Sequence, residues 1–206
     1  MARWTSKEMV LNVSSTKEAI LVLEAMQKQI KMVDIFADYN PPGKVNVRFE
    51  GSKEGLKEAV ELAKNLHQIV NGMLYPDGEG FYDYEITYIS KTIGKTIPVK
   101  ILLRVLEIQG IESTREENII YSKIEYEPLI RLIGEIDRNL SSMPYEVSSK
   151  SLREVLATIA VAKNLSVEEA IATAKKAKAV DKDELERLTL VVEPTQAIDK
   201  CLKIAK

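Results

Sequence analysis

The sequence predicts an α+β protein in two parts, and three observations predict it. Between Lys7 and Tyr88 the apolar spacing alternates between the strand and helix periods, in the order strand, helix, strand, strand, helix, strand. Lys91 to Thr96 is polar, contains a Gly and precedes Pro98, as an inter-domain linker does. Beyond it, helical stripes dominate with short strand patterns between them. The first pattern is the βαββαβ order of a ferredoxin-like domain, placed at residues 5–90. The second part, residues 97–206, reads as an α/β domain with a helix-turn-helix near 150–180.

The elements of the first part follow from spacing. Met9, Leu11 and Val13 alternate inward on a strand from Lys7 to Val13. Ser15 opens a helix, and Glu18 three residues on completes a capping box. Ala19, Leu23, Met26 and Ile30 share one face of that helix. Met32 to Tyr39 is the second strand and Val45 to Glu50 the third. Between them Asn40-Pro41-Pro42-Gly43 is a turn, with Pro fixing φ and Gly free to take unusual backbone angles. Leu56, Ala59, Val60, Ala63, Leu66 and Val70 stripe a second helix, and Asn71-Gly72 closes it. Phe81 to Tyr88 alternates as a fourth strand.

In the second part Thr96 is the expected N-cap of a helix holding Pro98 in its first turn and ending at Gly110. Asn118 to Ile124 reads as a strand, and Pro128 starts the next helix. Two capping boxes follow in quick succession, Ser151 with Glu154 and Ser166 with Glu169, separated by a short turn at Asn164-Leu165. That spacing marks a helix-turn-helix. A polar stretch from Asp181 to Glu186 leads to a strand at Arg187 to Val192, and Pro194 opens the last helix. Helix, turn, helix and strand is the outline of a winged helix-turn-helix, and equally of a generic α+β subdomain.

Composition excludes several classes. With 45% hydrophobic and 29% charged residues, a packed core is expected rather than disorder. No apolar run reaches the roughly 18 residues that a membrane span needs, and Met1-Ala2-Arg3-Trp4-Thr5 opens no signal-peptide core, so a cytoplasmic protein without membrane partners is expected. One cysteine, Cys201, allows no internal disulfide; with His67, the one histidine, it offers too few N/S ligands for zinc. Neither a metal nor a cofactor is expected. The Glu, Lys and Ile richness fits a thermophile. A net charge of −2 supplies no global attraction to nucleic acid, so any such contact needs a local basic patch.

Local candidates for that patch are Lys91, Lys95 and Lys100, then Lys175, Lys176 and Lys178, and last Lys200, Lys203 and Lys206. Lysines at a helix C-terminus also complement the helix dipole, which accounts for the second and third groups without any ligand. Gly94-Lys95-Thr96 resembles the end of a phosphate loop, but the Gly required five positions earlier is Ile89. The first three strands would expose Glu8, Val10, Asn12, Lys44, Asn46, Arg48 and Glu50, with Phe36 the one stacking aromatic. Asp34, Asp38, Asp83 and Glu85 would share that face and repel phosphate. Glu168 and Glu169 open the second helix of the helix-turn-helix, where a DNA reader meets the groove. Tyr75, Tyr82, Tyr84 and Tyr88 read as core and rim packing, His67 as a helix-border residue, and the scattered carboxylates from Glu112 to Glu127 as a solvated face.

The stretch from Leu152 to Val192, with Leu165-Ser-Val-Glu-Glu-Ala-Ile171 and Arg187-Leu-Thr-Leu-Val-Val192, resembles the C-terminal part of an archaeal protein family of unknown function. The resemblance implies an archaeal cytoplasmic protein and transfers no site residue. Three functions are weighed. The first is a non-enzymatic protein that binds RNA or a ribonucleoprotein through its lysine clusters. The second is a protein–protein adaptor or regulatory dimer that uses the bare sheet face. The third, an enzyme built from scattered carboxylates, lacks an acid–base pair in the sequence.

Overall fold

A computed structural model describes residues Thr5 to Ala205. Met1–Trp4 and Lys206, and with them the N-terminal reading and the last lysine of the 200–206 cluster, lie outside the described residues. The chain is a mixed α+β protein whose described residues form eight helices and small antiparallel sheets. It divides into two compact units between Ile93 and Gly94.

The first unit opens with strand β1 (Thr5–Asn12), helix α1 (Thr16–Gln29), strands β2 (Asp34–Asn40) and β3 (Lys44–Gly51), and helix α2 (Lys53–Leu74). β3 is the central strand, antiparallel to β1 on one side and β2 on the other. Its alternation is nearly complete: Val45, Val47 and Phe49 are buried, while Lys44, Asn46 and Arg48 are exposed. α1 buries Ala19, Val22, Ala25 and Met26, and α2 buries Leu56, Ala59, Ala63, Leu66 and Val70. These helices pack on the Val47 face of the sheet, where each large apolar side chain contributes about 1.5–3 kcal/mol on full burial. The β2–β3 turn brings Gly43 against β1, with Val13 N–H donating to Gly43 O at 2.9 Å. A Cβ at Gly43 would stand 2.8 Å from Val13 O, so the close approach requires glycine.

The expected strand from Phe81 to Tyr88 is cut short. β4 covers only Tyr82–Glu85, lies outside the β1-β3-β2 sheet and packs on α2; helix α3 (Ile86–Ile93) follows at once. Tyr84, Tyr88 and the adjacent Ile89 are all buried. Tyr88 and Ile89 are neighbours, and one face of a helix can bury both, whereas one side of a strand cannot. Asp83 and Glu85 therefore do not share the open face of the sheet. α3 also takes in Lys91 to Ile93, so the segment expected as a linker is helical at its start.

The second unit runs through α4 (Val99–Ile108), the hairpin of β5 (Ser113–Glu116) with β6 (Ile119–Ser122), α5 (Tyr126–Ser141), α6 (Lys150–Lys163), α7 (Val167–Lys176), the hairpin of β7 (Val180–Lys182) with β8 (Leu188–Leu190), and α8 (Pro194–Ile204). α6 is the hub, packed on α4, α5, α7 and α8. Its sequence is apolar nearly all round, with Leu152 and the run Val155 to Val161 buried, as a helix surrounded by helices requires.

Several boundaries differ from the sequence expectation. Pro98, not Thr96, precedes α4, and it makes no side-chain cap. α5 starts two residues before Pro128, which then sits in its first turn. Ser149, not Ser151, caps α6 by accepting the Leu152 N–H. The Ser166–Glu169 capping box forms in full: Glu169 N–H donates to Ser166 Oγ at 3.1 Å and Ser166 N–H to Glu169 Oε2 at 2.8 Å. Asn164, in the left-handed region at φ 52°, makes the turn between α6 and α7. β5 and β7 are strands that the sequence does not announce, and the strand expected over 187–192 shrinks to β8.

Candidate interaction surfaces

The side of the first sheet opposite the helices is uncovered within its unit. Three cross-strand rows lie there: Glu8–Arg48–Phe36, Val10–Asn46–Asp38 and Asn12–Lys44–Asn40, with Ser6–Glu50–Asp34 closing one end. Val10, on the edge strand β1, is 56% exposed and Phe36, on the edge strand β2, 49%. The Arg48 guanidinium lies over the Phe36 ring, 5.0 Å from its centroid, and its Nε donates to Glu50 Oε1 at 3.1 Å. A shallow depression of about 490 Å³ spreads over the face, centred on the Met9–Val47–Ala37 row. Four carboxylates, Glu8, Asp34, Asp38 and Glu50, stand against Lys44 and Arg48. This balance suits a protein surface better than a phosphate backbone.

The lysines separate into paired and unpaired. Lys91 is exposed on α3 of the first unit. Lys95 is held by Asp137, and Lys100 Nζ sits 3.7 Å from Glu154 Oε2, both within the second unit. Lys175, Lys176 and Lys178 are exposed at the end of α7, and no ion pair with a carboxylate engages them among the described residues. Val191 N–H donates to Ala179 O at 3.1 Å, which ties the end of α7 to the residues leading into α8. Lys200 and Lys203 lie in the second half of α8. The β7–β8 hairpin beside Lys178 carries Asp181, Asp183, Glu184 and Glu186. Asp183 organises its turn, accepting from the Leu185 and Arg187 N–H groups at 2.9 Å each. The Arg187 N–H leads in holding the Asp183 carboxyl below its ordinary value, against partial desolvation, with the Leu185 N–H and the Arg187 charge adding to it.

A cleft of about 560 Å³ in the second unit lies among α4, α6, β5 and the start of α8. Ile101, Val155 and Ile198 make its apolar wall, while Arg104 and Glu154 stand at its edge. Arg104 donates to Glu107 Oε2 and to Asp199 Oδ1, both at 2.8 Å, so its charge is already matched.

One polar cluster is not legible in the sequence. Glu18 is fully buried. Its Oε2 accepts the Ser14 N–H at 2.7 Å, while Oε1 stands 3.0 Å from His67 Nε2 and 3.5 Å from Asn71 Nδ2. Ser15 Oγ and Tyr75 OH meet at 2.9 Å beside it. Both carboxylate oxygens are occupied, one from the loop before α1 and one from α2, so the pair reads as a structural tie rather than an acid–base site. The Tyr82 and Tyr84 rings stack at 6.1 Å, but Tyr84 is buried and Tyr88 belongs to α3, so no tyrosine row is presented to a ligand. Burial pushes the Cys201 thiol up to about 11. Among the described residues no group of three His, Cys, Asp or Glu could hold a metal ion, and no helix is long and apolar enough to cross a membrane.

The described residues thus hold two α+β units, a sheet face uncovered within the first and a helix in the second that ends in exposed lysines. Residues 11–199 match the family described as "Uncharacterized protein conserved in archaea (DUF2067)", and the chain belongs to that family. No curated protein and no solved structure matches it.

Proposed function

We propose that this protein is a non-enzymatic binding protein that associates with RNA or a ribonucleoprotein, meeting phosphates with Lys175, Lys176 and Lys178. The observation that carries the reading is that these three lysines are exposed together at one helix end without acidic partners among the described residues. Lys91 is an auxiliary contact, while Lys95 and Lys100 must first leave Asp137 and Glu154. In this reading the first unit is a ferredoxin-like module whose fourth strand stands apart from the sheet. α6, the turn at Asn164, α7 and the β7–β8 hairpin are a helix-turn-helix with a short wing. Sequence-specific DNA reading is opposed by Glu168 and Glu169 at the start of α7 and by the acidic wing.

Magnitudes make the association weak. Three phosphate contacts give a log–log salt slope of about −2 on single strands and nearer −3 on duplexes. Between 50 and 200 mM salt, affinity should then fall roughly 20- to 40-fold. The test is RNA binding at those two salt concentrations, for the parent protein and for the Lys175→Glu, Lys176→Glu, Lys178→Glu variant. Binding that is steep in the parent and lost in the variant supports the reading. No binding at low salt, or equal binding by both proteins, removes it.

A second reading, a protein adaptor or regulatory dimer, is favoured by a separate observation. Val10 and Phe36 are exposed on an uncovered sheet face.

A further inference from the structure

We infer that the open face of the β1-β3-β2 sheet receives a second copy of this chain, laid antiparallel about a two-fold axis through the Met9–Val47–Ala37 row. This rests on the reading of that face as a protein surface and is independent of the phosphate reading.

The exposed residues of β3 run Lys44, Asn46, Arg48, Glu50, so the strand has a cation at one end and an anion at the other. An antiparallel copy centred on Val47 sets Lys44 over Glu50 of the other copy, twice by symmetry, and Arg48 over Asn46. The flanking strands agree. β1 sets Glu8 over Val10 and Ser6 over Asn12, and β2 sets Phe36 over Asp38 and Asp34 over Asn40, with no like charges opposed. Neighbouring registers fail. Centring on Asn46 opposes Lys44 with Arg48, and centring on Arg48 opposes that residue with itself. Such like-charge oppositions reject a register more strongly than attraction selects one. A two-fold interface must complement itself, and this face does so about one row. The depression on the face is centred on the same row and gives Val10 and Phe36 of the other copy a place to enter.

The size of the face sets the strength. Three strands of seven or eight residues span about 14 by 26 Å, roughly 370 Å² a side before side-chain relief. That lies below the standard interface of about 800 Å² per partner, so the dimer is concentration-dependent, and micromolar or weaker.

The experiment is sedimentation equilibrium of the full chain over a wide concentration range, with charge-swap variants. Lys44→Glu sets two carboxylates against each other, the new one and that of Glu50 on the other copy. Glu50→Lys likewise sets a new ammonium against that of Lys44 on the other copy. Each single variant is expected to dimerise about tenfold or more weakly than the parent. Mixing the two variants restores association: in the mixed dimer one cross pair joins two unchanged positions and the other joins two substituted ones, and neither opposes like charges. Val10→Asp, which alters only an exposed position, is expected to abolish association. A parent that stays monomeric up to the highest concentration overturns the inference. A dimer indifferent to both charge variants, or a mixture that fails to recover, also overturns it. If such a dimer is nevertheless lost on Val10→Asp, the face remains a protein surface and only this register falls.

Discussion

Glu18 shows how one residue can be read correctly in kind and wrongly in reach. Its spacing from Ser15 announces a cap, and the Glu18 N–H does donate to Ser15 Oγ at 3.1 Å. The side chain, however, reaches Ser14 N–H and crosses to His67 on α2. Replacing His67 with Ala leaves a fully buried Glu18 Oε1 with only the long Asn71 contact, an under-satisfied group that costs about 1–3 kcal/mol. For a chain of this length that is a drop of about 2–4 °C per kcal/mol in melting temperature. His67→Gln, which can still donate, should lose less; equal losses would show that the hydrogen bond is not the source. Cys201 gives a second expectation at this scale. With its thiol pushed up to about 11, little thiolate exists at pH 8, and the side chain is buried. Alkylation of the native protein should be very slow and become rapid on denaturation. Rapid labelling of the native protein would place Cys201 at an accessible surface.

At the scale of elements, caps separate what the sequence specifies from what packing decides. Ser166 is the full capping-box residue and Ser149 the observed cap of α6, while Ser151 lies inside that helix. Ser166→Ala and Ser149→Ala should each cost about 1 kcal/mol by chemical denaturation, with Ser151→Ala near zero. A larger loss at Ser151 would restore the cap expected from its spacing to Glu154. The β7–β8 hairpin has its own pH dependence. The Asp183 carboxyl is held below 3.8 in the folded turn, so its contribution is present above that value and fades as pH falls through the lowered one. The Leu185 and Arg187 amide resonances should titrate together with a midpoint below 3.8, and a midpoint at or above 3.8 would contradict the turn. The strands hidden in the sequence are explained by their composition. Ser113-Thr-Arg-Glu116 has no apolar alternation, and its hairpin is recognisable only from the partner strand. The opposite error, at Phe81 to Tyr88, has its source in Tyr84 and Tyr88, which satisfy both a two-residue and a four-residue repeat. Only the burial of Ile89 beside Tyr88 decides for helix. By contrast, the open face of β1, β2 and β3 is legible residue by residue, since a half-buried strand writes its two faces in alternate positions.

For the whole molecule, a net charge of −2 means that neither surface draws a partner from a distance, and both proposed contacts are short-range and weak. Weak contacts gain by being doubled. A dimer formed through the first sheet carries two α7 lysine tips, and a long flexible single strand can reach both whatever their separation. Once one tip is bound, the second binds at the effective concentration set by the connecting chain, which multiplies affinity without any new contact. The number of neutralised phosphates doubles as well, so the log–log salt slope on long single-stranded RNA should steepen from about −2 to about −4 when the protein is dimeric. Lys44→Glu lies on a different unit from the α7 lysines and should return the slope to the monomer value on long RNA. It should leave binding to an oligonucleotide too short for two tips unchanged. The two readings are thus separable in one titration series. Loss of the steep slope with Lys44→Glu ties RNA affinity to dimerisation. A slope that is the same for both proteins on long and short RNA would show that the lysine tips act singly.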